Sequence, residues 1–139
     1  MKTNSIILIF AVVLFSCNSK KEVNINATQN SNRIWTLVAF KDYGKDYFVK
    51  KNCYLDLTNN DRASAKMGCN NLSFSYKING SKISFTNGIS TRMACEDMKL
   101  EYDFSNAILE MNSFSINKHQ LTLTSETNQQ MIFVAQDWD

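Results

Sequence analysis

Apolar and polar residues alternate along most of the chain after residue 32, and a period of two is typical of strands with one buried face. The clearest run is 72–78, in which every second residue from Leu72 onwards is apolar. Asn79-Gly80 follows and predicts a tight hairpin, because a type I′ turn needs positive φ at both central residues. After Asn87-Gly88, the alternation breaks over 90–95. The same alternation predicts further strands near residues 33–40, 53–58, 63–69, 83–85, 114–116, 121–123 and 131–135.

The period changes between Glu96 and Met111, where apolar residues recur every three or four positions. Leu100, Phe104 and Ile108 lie on one face of such a helix, and acids near its start suit the helix dipole. Many short antiparallel strands with one helix predict a mainly β, α+β fold. We expect a small antiparallel β-barrel or a highly curved sheet, with the helix packed on it.

The start of the chain has the features of an exported lipoprotein precursor. Lys2 precedes an apolar run over 6–15. This run is about half of the ~20 residues that cross a bilayer as a helix, so it is the core of a signal peptide. The residues Leu14-Phe15-Ser16-Cys17 resemble a lipobox, in which the cysteine receives diacylglycerol and acyl chains such as palmitate. We therefore predict cleavage before Cys17 and a lipid anchor on it. The alternative is an ordinary secretory signal in which this cysteine is incidental.

The segment after Cys17 is rich in Asn, Ser, Lys and Gln and shows no period. Such a segment buries too little apolar surface to fold, and it is typical of a flexible tether. The sequence thus predicts a signal peptide over 1–16, the lipidated cysteine and tether over 17–32, and one small domain over 33–139. A lipid anchor places this domain in the bacterial cell envelope. We expect the outer membrane, with the domain on its periplasmic side or exposed at the surface.

Charge and composition disfavour several classes of function. The chain has 15 basic and 13 acidic residues, a formal net charge of +2, and no basic footprint for nucleic acid. The single histidine, His119, has no sequence cue for a nucleophile partner, and the cysteines form no CxxC pair. Catalysis and a zinc site are therefore disfavoured. We expect no enzymatic activity, no metal and no cofactor.

Three cysteines remain beside Cys17, namely Cys53, Cys69 and Cys95. An exported protein meets an oxidising compartment, so one disulfide and one leftover thiol are expected. Spacing alone leaves all three pairings open. Redox sensing and metal binding are the functional alternatives to a structural disulfide.

Two motifs resemble those of the META (HslJ-like) domain family. They are Met67-Gly68-Cys69-Asn70-Asn71, followed by Phe74 and Tyr76, and then Thr91-Arg92-Met93-Ala94-Cys95. The resemblance covers about 33–138 and implies a barrel-like fold. It also implies a non-enzymatic envelope protein linked to heat-shock stress or antibiotic tolerance. The family's pattern further implies a disulfide between Cys69 and Cys95, with Cys53 left as the free thiol. In the chain-entropy model, closing that loop stabilises the domain by roughly 3–4 kcal/mol.

Asn70 and Arg92 stand beside the two motif cysteines and are candidates for a binding surface, in which the guanidinium fork of Arg92 meets a carboxylate or phosphate. The alternative interpretation is that Asn70 satisfies backbone groups and Arg92 pairs with a neighbouring acid. The leading hypothesis is a membrane-tethered, monomeric binding module for an envelope protein or component.

A carrier of small apolar ligands, built like a lipocalin, is the alternative function. It requires a hollow barrel lined by aromatic residues, whereas core packing is the other interpretation of the same residues. The aromatic residues concerned are Trp35, Phe74, Tyr76, Phe85, Phe104 and Phe133.

Overall fold

The computed structural model describes residues 30–138. The predicted signal peptide, Cys17 and the predicted tether up to residue 29 lie outside the described residues, so what the sequence indicates for them stays a prediction. Over 30–138, no helix combines the length and the apolar character needed to cross a membrane.

Eight antiparallel strands form a closed barrel, in which each strand pairs with its neighbours along the chain and β8 returns to β1. The strands are β1 (Ile34–Phe40), β2 (Tyr54–Asn59), β3 (Arg62–Lys66), β4 (Asn71–Asn79), β5 (Lys82–Ser90), β6 (Met111–Asn117), β7 (Gln120–Ser125) and β8 (Gln130–Ala135). Between β1 and β8 there are two short helices, α1 (Lys45–Lys50) between β1 and β2, and α2 (Lys99–Ile108) between β5 and β6. The prediction of a mainly β, barrel-like α+β fold is confirmed.

The helices differ from the sequence prediction in number and length. The pattern predicts one helix, and the structure adds α1, whose six residues bury a single side chain, Phe48. A helix this short leaves no periodic signal. The other helix, α2, begins at Lys99 instead of Glu96, because Asp97 lies outside the helix, where its carboxylate accepts hydrogen bonds from the Tyr47 hydroxyl and the Lys99 N–H.

The alternating pattern places one face of each strand in the barrel interior. All six aromatic residues considered as a cavity lining are buried there as part of one apolar core. Helix α2 adds Phe104, whose ring meets the rings of Phe40 and Phe74 edge-on at centroid distances of 6.5 and 6.4 Å. Phe74 also meets the ring of Phe85, which stacks on Tyr76, so four of the six aromatic rings pack in one chain of contacts, which favours the core-packing interpretation.

The connections between strands alternate between the two ends of the barrel, because every strand is antiparallel to the next. The first residue of β1 and the β2–β3, β4–β5 and β6–β7 turns lie at one end, which we call the N-terminal end. The β1–β2 connection with α1, the β3–β4 connection, the β5–β6 connection with α2 and the β7–β8 turn lie at the other, the helical end. Cys69 and Cys95 are in two connections of the helical end, opposite to the point where the chain enters at Arg33.

Two glycine positions show how local sequence and register combine. The predicted hairpin is present, but its central residues are Gly80 and Ser81, and of these only Gly80 has positive φ (61°). Asn87-Gly88 forms a β-bulge, after which β5 continues to Ser90 with a shift in register. A Cβ at Gly88 would lie 2.9 Å from the Phe74 ring, so this position needs glycine for close approach.

Candidate functional site at the helical end

A disulfide joins the β3–β4 and β5–β6 connections. Cys69 and Cys95 form this bond with their Cα atoms 6.3 Å apart, a separation normal for disulfides. The pairing is the one that the family resemblance implies. Cys53 is free and fully buried, and its burial raises the pKa of the thiol to about 11. The protonated Cys53 thiol is therefore a core group and not a reactive one.

Asn70, next to Cys69, holds the β5–β6 connection from inside. Its side chain is 1% exposed. The Asn70 Oδ1 accepts the N–H of Met93 at 2.7 Å and the hydroxyl of Thr91 at 2.9 Å, while its Nδ2 donates to the Met93 carbonyl at 3.3 Å. The amide thus pairs with the Met93 backbone much as a neighbouring strand would. Of the two interpretations of Asn70 from the sequence, a binding-surface residue or one that satisfies backbone groups, the observed contacts are those of the second.

The same asparagine is bound to a buried carboxylate. Glu101, 5% exposed, accepts the Asn70 backbone N–H on Oε2 at 2.8 Å and the Asn70 Nδ2 on Oε1 at 2.9 Å. Glu101 lies in the first turn of α2, where the helix dipole favours negative charge. One amide therefore ties the β3–β4 connection, the segment around Met93 and helix α2 together. Nothing in the sequence singles out Glu101, because the pattern marks it only as one of several acids near the helix start.

Arg92 is exposed, and its two neighbours along the chain, Thr91 and Met93, are held by hydrogen bonds to Asn70. Within residues 30–138 Arg92 forms no ion pair, so the alternative in which it pairs with a neighbouring acid is not what the structure shows. Apolar side chains surround it on the surface: Ile89, Met93 and Met98 are 64%, 56% and 38% exposed. These three and Arg92 line one open recess, which we call the Arg92 face. It combines a fixed positive charge with apolar contact area.

A first polar cluster braces α2 against the residues that follow β1. The Asp103 carboxylate accepts hydrogen bonds from the Tyr43 hydroxyl at 2.7 Å, from Lys99 Nζ at 2.9 Å and from Lys41 Nζ at 3.0 Å. These contacts, the Tyr43 bond foremost, hold the pKa of the Asp103 carboxyl well below its usual range. Lys99 Nζ also donates to the Tyr43 hydroxyl at 3.1 Å, so these side chains form one network that supports the fold at this end.

A second cluster braces the segment before α2 against α1. The Tyr47 hydroxyl donates to Asp97, and Lys51 Nζ lies 3.0 Å from the same carboxylate. The hydrogen bond from Tyr47, followed by that from Lys51, lowers the pKa of Asp97 to about 2. Both clusters therefore position the helical end around the disulfide.

No metal-binding cluster is found over 30–138: nowhere in this range do three or more His, Cys, Asp or Glu side chains converge as they would around an ion. His119 lies at the N-terminal end, in the β6–β7 turn, and its ring stacks on Trp138 with 4.5 Å between centroids. The histidine and the motif cysteines are thus at opposite ends of the barrel.

These features define a class of protein, namely a small closed antiparallel barrel with a helix over one end and a disulfide between two of its connections. The chain belongs to the META domain family, whose sequence profile matches residues 27–138. No curated protein matches it.

Solved structures are similar in fold. An NMR structure of a protein from Burkholderia xenovorans matches with a TM-score of 0.67 at 22% identity, covering 99% of this chain and 100% of that one. A crystal structure of a DUF4847 family protein from Bacteroides vulgatus ATCC 8482 matches with a TM-score of 0.56 at 10% identity, covering 78% of this chain and 96% of that one. At these identities the likeness concerns the fold alone.

Proposed function

We propose that the chain is a membrane-tethered envelope protein whose META domain binds a protein or envelope component, in a stress-related or antibiotic-tolerance role, and performs no chemistry. The Arg92 face carries this proposal. Ile89, Met93 and Met98 expose apolar area there beside an arginine that has no acidic partner among the described residues. Contiguous exposed apolar groups of this kind mark interaction sites, and arginine is enriched in such interfaces.

The connectivity of the barrel supports a tethered binding role. The residues before β1 pack at the N-terminal end, where the Ser31 carbonyl accepts a hydrogen bond from Trp35 Nε1, and a tether before residue 30 would leave the domain there, whereas the Arg92 face belongs to the helical end. A lipid on Cys17 would therefore hold the domain near a membrane without covering the surface that we propose for binding. The disulfide and Asn70 order that surface before a partner arrives, which lowers the entropic cost of binding.

A carrier of small apolar ligands requires space inside the barrel. In the part of the chain that the structure describes, the barrel interior is instead occupied by the aromatic core. The apolar area that a partner can reach therefore lies on the outer surface and not around an internal ligand. This contrast is why we place binding on the Arg92 face.

Photo-crosslinking in intact cells tests the proposal. A photoreactive amino acid replaces Met93 in the full chain, and the control carries it at Val49, which is similarly exposed (59%) on α1, outside the Arg92 face. We expect a discrete covalent adduct from position 93 only, and its loss when Cys17→Ser removes the lipid site. An absence of adducts, or the same adducts from both positions, would contradict a binding role for this face.

A further inference from the structure

The barrel is closed by few contacts between β5 and β6, which leaves the outer edge of β5 open. On its inner side β5 pairs with β4 from Lys82 to Ser90. On its outer side it pairs with β6 only at Lys82, opposite Ser113. Over the part of the chain that the structure describes, no other strand lies beside β5 from Ser84 onwards. Alternate residues of an antiparallel strand direct their N–H and C=O groups to each side, so this edge presents unpaired backbone groups.

A furrow runs along this edge, and we call it the β5 furrow. Its strand side is formed by Ser84, Gly88, Ile89 and Ser90, and its helix side by Ser105, Asn106, Leu109 and Glu110. Ile89 and Leu109, 64% and 47% exposed, face one another across it as apolar walls. Between them lies a recess of about 230 Å³ floored by Leu72 and Phe74, large enough for one apolar side chain. The furrow therefore offers backbone pairing on one wall and an apolar pocket beneath.

This edge lacks one of the usual protections against strand addition, which is charge. Soluble proteins place charged residues, especially lysine, on open edges to keep other strands away. No charged residue occurs between Lys82 and Arg92, over Ile-Ser-Phe-Thr-Asn-Gly-Ile-Ser-Thr. Lys82 itself lies where β6 already closes the sheet. The bulge at Asn87 and Gly88 interrupts the edge without charging it.

The two ends of the furrow carry opposite charges. At one end Arg92 lies next to Ile89, and at the other Glu110 and Glu126 lie next to Ser84. None of these three charged side chains forms an ion pair with another described residue. Because β5 runs from the acidic end to the basic end, a strand antiparallel to it would begin near Arg92 and finish near the two glutamates.

We propose that the β5 furrow binds an extended segment of a partner protein as an added antiparallel strand. The segment has an acidic residue near its start, beside Arg92, an apolar centre, and a basic residue near its end, beside Glu110 and Glu126. The proposal rests on the proposed function, since it states how the partner is held. Backbone pairing supplies affinity in this mode, and the pocket and the end charges supply specificity.

A peptide library tests this mode of binding. Seven-residue peptides, acetylated and amidated, carry glutamate first, lysine last and mixtures of Val, Ile, Phe, Thr and Ser between. They are incubated with the full chain, with Ile89→Lys and with the matched control Val49→Lys. We expect the wild type and Val49→Lys to retain the same peptides, and Ile89→Lys to retain at least tenfold less, with unchanged circular dichroism. Exchanging the terminal glutamate and lysine of a retained peptide should weaken binding severalfold.

Alternate N-methylation separates strand addition from ordinary groove binding. Methyl groups on the alternate residues whose N–H groups face β5 should weaken a retained peptide at least tenfold, and those on the intervening residues less than threefold. Equal losses at both sets, or no peptide retained above the Ile89→Lys level, would overturn the proposal. Self-association of the full chain that Ile89→Lys abolishes would assign the furrow to a second copy and also overturn it. If position 93 gives crosslinked adducts but N-methylation shows no alternating effect, the binding role stands and only strand addition is excluded. If N-methylation shows the alternating effect but position 93 gives no adducts in cells, the binding role in the envelope is excluded.

Discussion

Removal of the Asn70 side chain is the sharpest test of how the helical end is held. Asn70→Ala deletes the hydrogen bonds of the amide to Thr91, to both backbone groups of Met93 and to Glu101. The Glu101 carboxylate, 5% exposed, then keeps a bond only to the backbone N–H of residue 70. Its second oxygen becomes a buried acceptor without a donor.

The expected loss follows from which of these groups can reach water. A hydrogen bond to a charged group contributes about 1.5–3 kcal/mol, and a buried group left unsatisfied costs about 1–3 kcal/mol. Thr91 and Met93 are exposed residues whose polar groups can regain water in the variant. The dominant loss is therefore at Glu101, and we expect Asn70→Ala to lower the free energy of unfolding by about 3 kcal/mol.

Urea unfolding of the oxidised domain, followed by circular dichroism, measures this loss. With an m value of about 1.5 kcal/mol per molar urea, the midpoint should fall by about 2 M. Asn71→Ala is the matched control, because Asn71 is exposed and its hydrogen bonds to Thr91 use only its backbone. That variant should stay within about 0.5 kcal/mol of the wild type.

A double-mutant cycle identifies the partner. The double variant Asn70→Ala/Glu101→Ala should lose at least about 1 kcal/mol less free energy of unfolding than the sum of the two single variants, since each single variant already removes the same contact. The contrary results are an Asn70→Ala loss no larger than that of Asn71→Ala, or losses at Asn70 and Glu101 that simply add. Either result would mean that the buried amide does not hold Glu101 and the segment around Met93.

Two further changes follow from the same structure. The pKa of Asp97 is lowered to about 2 in the folded state against an unfolded value near 4, so its contribution to stability is present above about pH 4 and lost as pH falls from 4 towards 2. In Asp97→Asn the urea midpoint should therefore change less between about pH 4 and about pH 2 than in the wild type. The same pH dependence in both proteins would contradict this. Gly88→Ala places a Cβ 2.9 Å from the packed ring of Phe74 and should lower the free energy of unfolding by about 1–3 kcal/mol. Gly44→Ala, with open space around its Cβ, should be nearly neutral. The melting temperatures of the two variants, measured by calorimetry, check this difference.

The strands could be predicted from the sequence because each has one buried face, and a period of two survives wherever that is true. Asn87-Gly88 marks the limit of such reasoning. The same dipeptide suits a turn or a bulge, and what decides between them is Phe74 on the neighbouring strand, whose ring lies against Gly88. The start of α2 has a similar cause, since the partners that keep Asp97 outside the helix belong to α1.

The candidate site was predictable in its location but not in its construction. The motifs singled out Asn70 and Arg92 through their place beside Cys69 and Cys95. Whether Asn70 faces a partner or satisfies backbone groups stayed open, because its partners are 21 to 31 positions away along the chain, where no local pattern reports them. An asparagine that satisfies distant backbone groups looks, in sequence alone, like any surface asparagine.

The two motifs are best understood as halves of one structural unit. The disulfide fixes the β5–β6 connection at Cys95, and Asn70 fixes it at Thr91 and Met93, so Arg92 stands between two residues that cannot move far. Each fixing group comes from the first motif and each fixed residue from the second. Under the proposed binding role, the entropy cost of ordering this backbone has been met during folding, and only the exposed Arg92 side chain is left to be ordered. The residues that carry the family resemblance are therefore those that hold the backbone on both sides of Arg92, which gives the two motifs a physical reason.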